Sequence, residues 1–261
     1  GEDLSDSTTI LACVKHFALY GAPEAGRDYS TVDMSHLRMY NEYFPPYKAA
    51  VDAGAGSVMA SFNEVDGVPA TGNSWLMTEV LRNQWGFDGF VVTDYTGIYE
   101  MIAHGIGDFE AVSVQALKAG IDMDMVSEAF IGNVKNALEK GLVSMKDIDT
   151  ACRRILEAKY RLGLFEEPYK FCRADQAAQE VYCQEHRDIA RKIASESFVL
   201  LKNEGGVLPL KSDKVKKIAV IGRNAVATTA AGGMGAGVKT PYEITPLQGL
   251  QNRSNNNFEI T

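Results

Sequence analysis

The chain is poor in everything that a metal centre, a redox motif or a nucleic-acid interface requires. Of its 261 residues only four are cysteine and four histidine. Cys13, Cys152, Cys172 and Cys183 show neither CxxC nor metal-ligand spacing, so buried or incidental thiols are expected, and no metal or other cofactor. Lys and Arg total 26 against 34 Asp and Glu, a net charge of −8. That balance leaves no basic stripe for a phosphate backbone and argues against nucleic acid as a partner. Long hydrophobic runs are missing as well: apolar stretches are of strand length and soon broken by polar residues or glycine, so no membrane-spanning helix is expected. The opening residues, Gly1-Glu-Asp-Leu-Ser5, do not resemble a signal peptide. What is there, 46% hydrophobic residues and 24 glycines, is ordinary material for a globular core.

The stretch Gly86-Phe-Asp-Gly-Phe-Val-Val-Thr-Asp-Tyr95 carries the most chemical information. Residues 89–92 are apolar without alternation, the mark of a strand buried on both faces, and the chain turns polar where such a strand would emerge. Asp94 thus stands at the C-terminal edge, where barrel enzymes hold catalytic groups. Capping of a helix that starts near Gly97 is the rival role for it. Further strand candidates lie at 11–17, 57–62 and 120–125, separated by helical segments, a βα repeat of barrel or doubly wound type. Helical spacing runs over 34–52 until Pro45 and Pro46 interrupt it, then through Trp75, Leu76, Val80 and Leu81 with Asn73 and Ser74 as caps. It returns over 111–118, over 130–140 closed by Gly141, and over 145–162, where Ile148, Cys152, Ile155, Leu156 and Lys159 trace one face.

A complete barrel needs eight βα units and usually about 250 residues, whereas four precede the change of pattern here. The expected architecture is α/β. The C-terminal half of a TIM-type (β/α)8 barrel occupies 1–164, and a polar linker containing Phe165-Glu-Glu-Pro-Tyr-Lys170 occupies 165–178. The start of a second, incomplete α/β sandwich domain follows over 179–261. That part opens on a long amphipathic helix, 179–203, and then on a buried parallel strand, Lys216-Lys-Ile-Ala-Val-Ile-Gly222. The chain reads as an internal piece of a larger protein.

Three strand motifs are specific: Val14-Lys-His-Phe-Ala-Leu-Tyr-Gly21, Ser57-Val-Met-Ala-Ser-Phe-Asn63 and Gly89-Phe-Val-Val-Thr-Asp-Tyr95. With Thr31-Val-Asp-Met-Ser35, Ala119-Gly-Ile-Asp-Met-Asp-Met125, Lys159-Tyr-Arg-Leu-Gly-Leu-Phe165 and Glu196-Ser-Phe-Val-Leu-Leu-Lys-Asn203, they follow one another in order over nearly the whole chain. The set resembles glycoside hydrolase family 3, in its periplasmic β-glucosidase branch.

The resemblance implies a retaining, exo-acting β-glycosidase, a β-glucosidase foremost, with Asp94 as nucleophile and the acid/base supplied by a second domain beyond Thr261. Such a mechanism needs two carboxyls about 5 Å apart. Glu24, Glu64 and Glu100 are not assigned the second role, and the chain expressed alone is expected to be inactive. Lys15 and His16 match the family's sugar-binding pair. Because neighbours on a regular strand face opposite ways, the resemblance implies a non-proline cis peptide there. Two positions depart from the family pattern. Tyr95 stands where many members have tryptophan, and Phe62 where many have a tyrosine whose hydroxyl approaches the nucleophile, so Asp94 is either less well oriented or held by another donor. Met59 and Met123 are candidates to line the pocket, although barrel core filling competes for both. Glu24, Arg27 and Asp28 lie in the loop after the first strand, either binding hydroxyls or simply solvated.

The expected partner is an oligosaccharide or an aryl or alkyl β-glycoside, with a homodimer of the full-length protein and a periplasmic or secreted location carried by the resemblance alone. Alternatives within the family are a β-xylosidase or a β-N-acetylhexosaminidase, the latter raised by His36 in Asp33-Met-Ser-His36. Outside it stand a non-catalytic carbohydrate-binding relative and a nicotinamide-dependent enzyme. The last is weakened because Arg223-Asn-Ala-Val-Ala227 supplies no glycine turn directly after the strand. Gly232-Gly-Met-Gly-Ala-Gly237 lacks dinucleotide spacing and is read instead as the family's glycine-rich loop toward the site.

Overall fold

The computed structural model describes residues 3–6, 8–211, 214–227, 242–254 and 258–261. The loop 232–237 lies outside them. The chain divides into two compact units, Gly1–Ala177 and Ala178–Thr261.

The first unit is built on a parallel sheet of β1 (Cys13–Phe17), β3 (Ser57–Ala60) and β6 (Phe90–Val92), in the order β1-β3-β6. Val92 bridges onward to Met123 in the same parallel sense. Of the strand expected over 120–125, that bridge is the part that pairs. Register is set by Val58, which faces Val14 on one side and Val91 on the other, with Val58 and Val91 fully buried. Close approach of β3 and β6 requires Gly89, since a Cβ there would lie 2.3 Å from the Gly56 carbonyl oxygen. A smaller sheet pairs β2 (Thr31–Val32) with β4 (Glu64–Val65), and β4 turns back into β5 (Val68–Pro69) through Asp66 and Gly67, both at positive φ. An Asp-Gly pair is what a two-residue hairpin turn of that conformation favours.

Helical segments separate the strands of the first sheet. After β1 and β2 come α1 (His36–Arg38), a π-helical stretch Met39–Tyr43, and α2 (Phe44–Asp52) without a break. Pro45 and Pro46 therefore do not interrupt the helix. They fall in its first α turn, directly after the π-helical stretch. Trp75–Gln84 is also π-helical, and the Asn73 side chain accepts from the Leu76 N–H at 3.1 Å, while Ser74 contributes no side-chain cap. Then come α3 (Gly97–Glu100), α4 (Phe109–Ala119), α5 (Ala129–Glu139) and α6 (Met145–Arg161). Asp108 caps α4, Gly120 at φ 110° ends it, and Ser144 with Asp147 forms a capping box on α6.

The core gathers Phe17, Phe44, Leu76, Met77, Leu81, Ile98, Met101 and Ile121, each under 3% exposed. Phe17 is its aromatic centre, with Tyr47 and Trp85 edge-on at 5.4 and 5.6 Å. Beneath it Asp122, only 1% exposed in its side chain, accepts from Arg82 at 2.7 Å, from Arg154 at 2.8 Å and from the Val91 N–H at 2.8 Å. Arg82 donates in addition to the Phe87 and Gly89 carbonyls. This ion cluster turns the buried face of α6. Ala151 is buried, with Arg154 and Ile155 partly so, while Cys152, Leu156 and Lys159 of the expected face are exposed. Cys13 and Cys172 are exposed as well and Cys183 is half-exposed; all four thiols are free, so the buried reading fails.

In the second unit the helix expected over 179–203 is split into α7 (Ala174–Glu180), which begins in the first unit, and α8 (Gln184–Glu196), with Tyr182 between them at φ 61°. The expected buried strand pairs over β7 (Lys217–Ile218) in parallel with β8 (Glu259–Ile260), and Ile221 is 92% exposed. The helix α9 (Pro246–Ser254) precedes β8. Among the described residues no helix is long and apolar enough to cross a membrane.

Removing one partner of a buried ion cluster leaves the others desolvated and uncompensated, so Asp122→Asn is expected to lower stability by about 3–5 kcal/mol. The exposed Arg161–Asp88 pair contributes at most about 1 kcal/mol. Denaturant unfolding of Asp122→Asn and of Asp88→Asn checks the contrast.

Candidate active site

β1 does not end as a regular strand. Its pairing jumps from Val14 opposite Val58 to Phe17 opposite Ala60, which leaves Lys15 and His16 together across from Met59. Two residues against one is the geometry of a β-bulge, a recurrent device for re-aiming side chains beside active sites. The Lys15–His16 peptide is cis, as the resemblance implies, and so is Phe17–Ala18. The backbone here is held from two sides. Tyr47 donates its hydroxyl to the His16 carbonyl at 2.6 Å, and the Ala18 carbonyl accepts from Ser61 Oγ at 3.1 Å and Asn63 Nδ2 at 3.2 Å. Ser61 and Asn63 are fully buried, so these bonds are screened from water.

Asp94 emerges just past β6 and does not cap α3, whose N-cap is Thr96 in the left-handed region with no side-chain cap. Its carboxylate lies with Oδ2 3.2 Å from His16 Nε2, and Oδ1 accepts from the Tyr95 N–H at 2.6 Å. The side chains of His16 and Asp94 are 30% and 18% exposed, accessible to a ligand yet partly desolvated. Beneath Asp94 the fully buried Thr93 accepts through Oγ1 from the Met125 N–H, which ties the end of β6 to the neighbouring segment.

The His16 imidazole titrates below its ordinary value. Burial is the main cause and the adjacent Lys15 ammonium adds to it, while Asp94 and Asp28 pull the other way.

Around this pair stands an aromatic group that sequence reasoning left mostly unassigned. Tyr20 meets the His16 ring edge-on at 5.5 Å and approaches Phe62 at 6.1 Å, and Tyr29 lies 4.5 Å from Phe62. Burial, the hydrogen bond to Asp28 and that group's charge push the Tyr20 phenol well up. Tyr29 is also raised, by burial first and then by Glu100, Asp28 and Asp94. Tyr20 follows the Lys-His pair within one motif, and that placement was the available signal for it.

The other expected site residues are scattered in character. Lys15, Arg27 and Tyr95 are exposed, Phe62 is half-buried within the aromatic group, and Met59 is partly buried. Met123, at 46% exposed, is not core filling. His36 pairs with Asp66 at 2.7 Å across the hairpin turn and stacks on Trp75 at 4.2 Å. Among the described residues no group of three or more His, Cys, Asp or Glu could hold a metal ion.

Residues 3–158 match the Glycosyl hydrolase family 3 N terminal domain and residues 198–260 the Glycosyl hydrolase family 3 C-terminal domain. The chain belongs to glycosyl hydrolase family 3. It is 42% identical over 97% of its length to a periplasmic beta-glucosidase of Salmonella typhimurium, covering 33% of that protein. It is also 36% identical over 100% of its length to a beta-xylosidase of Formosa agariphila, covering 38% of it. A mutant beta-glucosidase from Listeria innocua, solved in complex with laminaribiose, superposes with a TM-score of 0.77 at 39% identity, over 86% of this chain and 31% of that one. The chain thus spans about a third of the length of these relatives.

With Lys15 adding to the depression of His16 and Asp94 opposing it, Lys15→Met is expected to raise the His16 pKa and Asp94→Asn to lower it further. Titration of the imidazole by NMR reads both signs.

Proposed function

We propose that this family 3 member is a retaining, exo-acting β-glucosidase in which Asp94 is the nucleophile and Lys15 and His16 bind hydroxyls of the sugar. The observation that carries this reading is the Asp94 carboxylate at the C-terminal end of β6, in contact with His16 from the β1 bulge. In this mechanism an Asp94 oxygen attacks the anomeric carbon as the bond to the leaving oxygen breaks and that oxygen takes a proton from a general acid. Water then adds to the anomeric carbon, the ester bond breaks, and the sugar leaves with its configuration retained. No residue of this chain is assigned the acid/base role.

The parallel order β1, β3, β6 and the bridge to Met123 supports reading these segments as four successive strands of a (β/α)8 barrel's second half. The residues from about 179 onward then form the start of the α/β sandwich domain. In the same reading Tyr95, Phe62, Met59, Met123 and Arg27 face the substrate's surroundings. The Tyr95 N–H is the donor that serves Asp94 in place of a hydroxyl at position 62, with His16 Nε2 3.2 Å from the other carboxylate oxygen. Laminaribiose in the Listeria complex makes a β-linked glucose disaccharide the first substrate to try. The periplasmic location named for the Salmonella relative is carried over in the same spirit. The match to a beta-xylosidase favours xylosides as the second substrate class. His36, which raised the hexosaminidase alternative, pairs with Asp66 and stacks on Trp75.

Incubation of the full-length protein with a 2-deoxy-2-fluoro-glucoside is expected to trap the sugar as an ester on a peptide containing Asp94, read by mass spectrometry. Asp94→Asn is expected to abolish trapping and to lower kcat about a thousandfold or more. Unchanged turnover in that variant, or inversion of configuration in the product, contradicts the assignment.

A further inference from the structure

Glu64 has no part in the chemistry just described, and yet it is a largely buried carboxylate with both oxygens engaged. Its side chain is 19% exposed and that of its partner His104 16% exposed. Oε1 lies 2.8 Å from His104 Nδ1, and Oε2 accepts the Thr31 hydroxyl at 2.5 Å. Thr31 and Glu64 are also register partners in the β2 and β4 pairing. Each of the three residues belongs to a different segment of the candidate site. Thr31 begins β2 at the end of the loop that carries Tyr20, Asp28 and Tyr29. Glu64 begins β4, immediately beyond Phe62 and Asn63. His104 closes the helical turn that starts after Asp94 and continues through α3.

We propose that Glu64 is a positioning residue, a clasp that fixes the Tyr29 loop, the Phe62 segment and the Asp94 helical turn relative to one another. The inference rests on Asp94 being the nucleophile. The Thr31 hydroxyl and the His104 ring both favour the ionised form of Glu64 and hold it below the ordinary carboxylate range, with the Thr31 bond the larger influence. The clasp is therefore a charge-assisted one. Glu64 and His104 never touch the reacting atoms. Their effect is on the entropy and orientation of what does, since small displacements of a nucleophile carry large costs in rate. A glutamine keeps an acceptor for Thr31 and a polar contact for His104, whereas alanine removes both.

The test uses the full-length protein and two readouts, the rate of covalent trapping by a 2-deoxy-2-fluoro-glucoside and hydrogen exchange of the amides from Thr96 to His104. Glu64→Ala is expected to slow trapping about tenfold, mainly in the bond-forming step rather than in initial binding, and to speed exchange in that segment. Glu64→Gln is expected to recover trapping to within about threefold of wild type. Glu64→Ala with His104→Ala is expected to be no slower than Glu64→Ala alone, because both changes open one contact. Trapping at the wild-type rate in folded Glu64→Ala, or penalties that multiply in the double variant, overturns the clasp. A wild type that is never labelled sinks the proposed function instead. Exchange then decides the clasp: faster exchange in Glu64→Ala sustains it and unchanged exchange overturns it.

Discussion

The first unit depends on one buried anion. Asp122 receives two guanidinium groups and a backbone N–H, and through Arg82 it is linked to the carbonyls of Phe87 and Gly89 as well. Desolvation is the largest influence on both sides of this cluster: it raises the carboxyl and lowers Arg82 to about 10. Arg82 is still protonated at neutral pH, so the attraction persists where water cannot screen it. A hydrophobic replacement of similar volume could be as stable, which makes position rather than stability the informative consequence. The cluster seizes the start of β6 from two helices and from the segment beyond α4, so the strand enters the sheet at one height only. Asp94 leaves the far end of that strand, and its place is a downstream result of where Asp122 stands.

At the other end of the sheet the constraint changes in kind. No ion cluster holds the bulge of β1; neutral hydrogen bonds to carbonyls do, from Tyr47 to His16 and from Ser61 and Asn63 to Ala18. An irregular strand end frees carbonyls that the ladder would otherwise satisfy, and burying them unpaired would be costly. The polar residues at the end of β3 supply the missing donors. Ser61 and Asn63 therefore belong to β1 energetically, although they are distant from it in sequence.

Much of this was legible before any coordinates. The strands at Val58 and Val91 announce themselves because a strand covered on both faces has no reason to alternate, and the carboxylate at Asp94 follows from where that pattern stops. The motif around Lys15 and His16 carried the irregular peptide with it. The failures have physical causes too. The π-helical turn before Pro45 has no composition signal, and two prolines that look like a stop sit harmlessly in a first α turn. On α6 the expected apolar face through Ile148, Cys152, Ile155, Leu156 and Lys159 holds at Ile148 and Ile155, but the inward side also bears Arg154 and leaves Cys152 and Leu156 exposed, because a charge with a buried partner outweighs a methylene count. Asp122 gave no warning for the same reason, since an aspartate beside a strand looks solvated until its arginines arrive from elsewhere in the chain.

The aromatic group bears on how Asp94 would work as the proposed nucleophile without a hydroxyl at position 62. In that reading the carboxylate must stay ionised and yet be oriented, and a protonated histidine 3.2 Å away would favour the ionised form while lowering its nucleophilicity. Burial and the Lys15 ammonium both disfavour the protonated form of His16, whereas Asp94 and Asp28 favour it. Tyr20 meets the imidazole edge-on, and burial with the nearby Asp28 pushes its phenol up. Phenylalanine at position 62 fits this arrangement: it packs against Tyr20 and Tyr29 and adds no second donor to compete for the carboxylate. On the proposed assignment of Asp94 as nucleophile, the Tyr95 N–H orients the carboxylate and the depression of the neighbouring imidazole lessens the positive charge beside it.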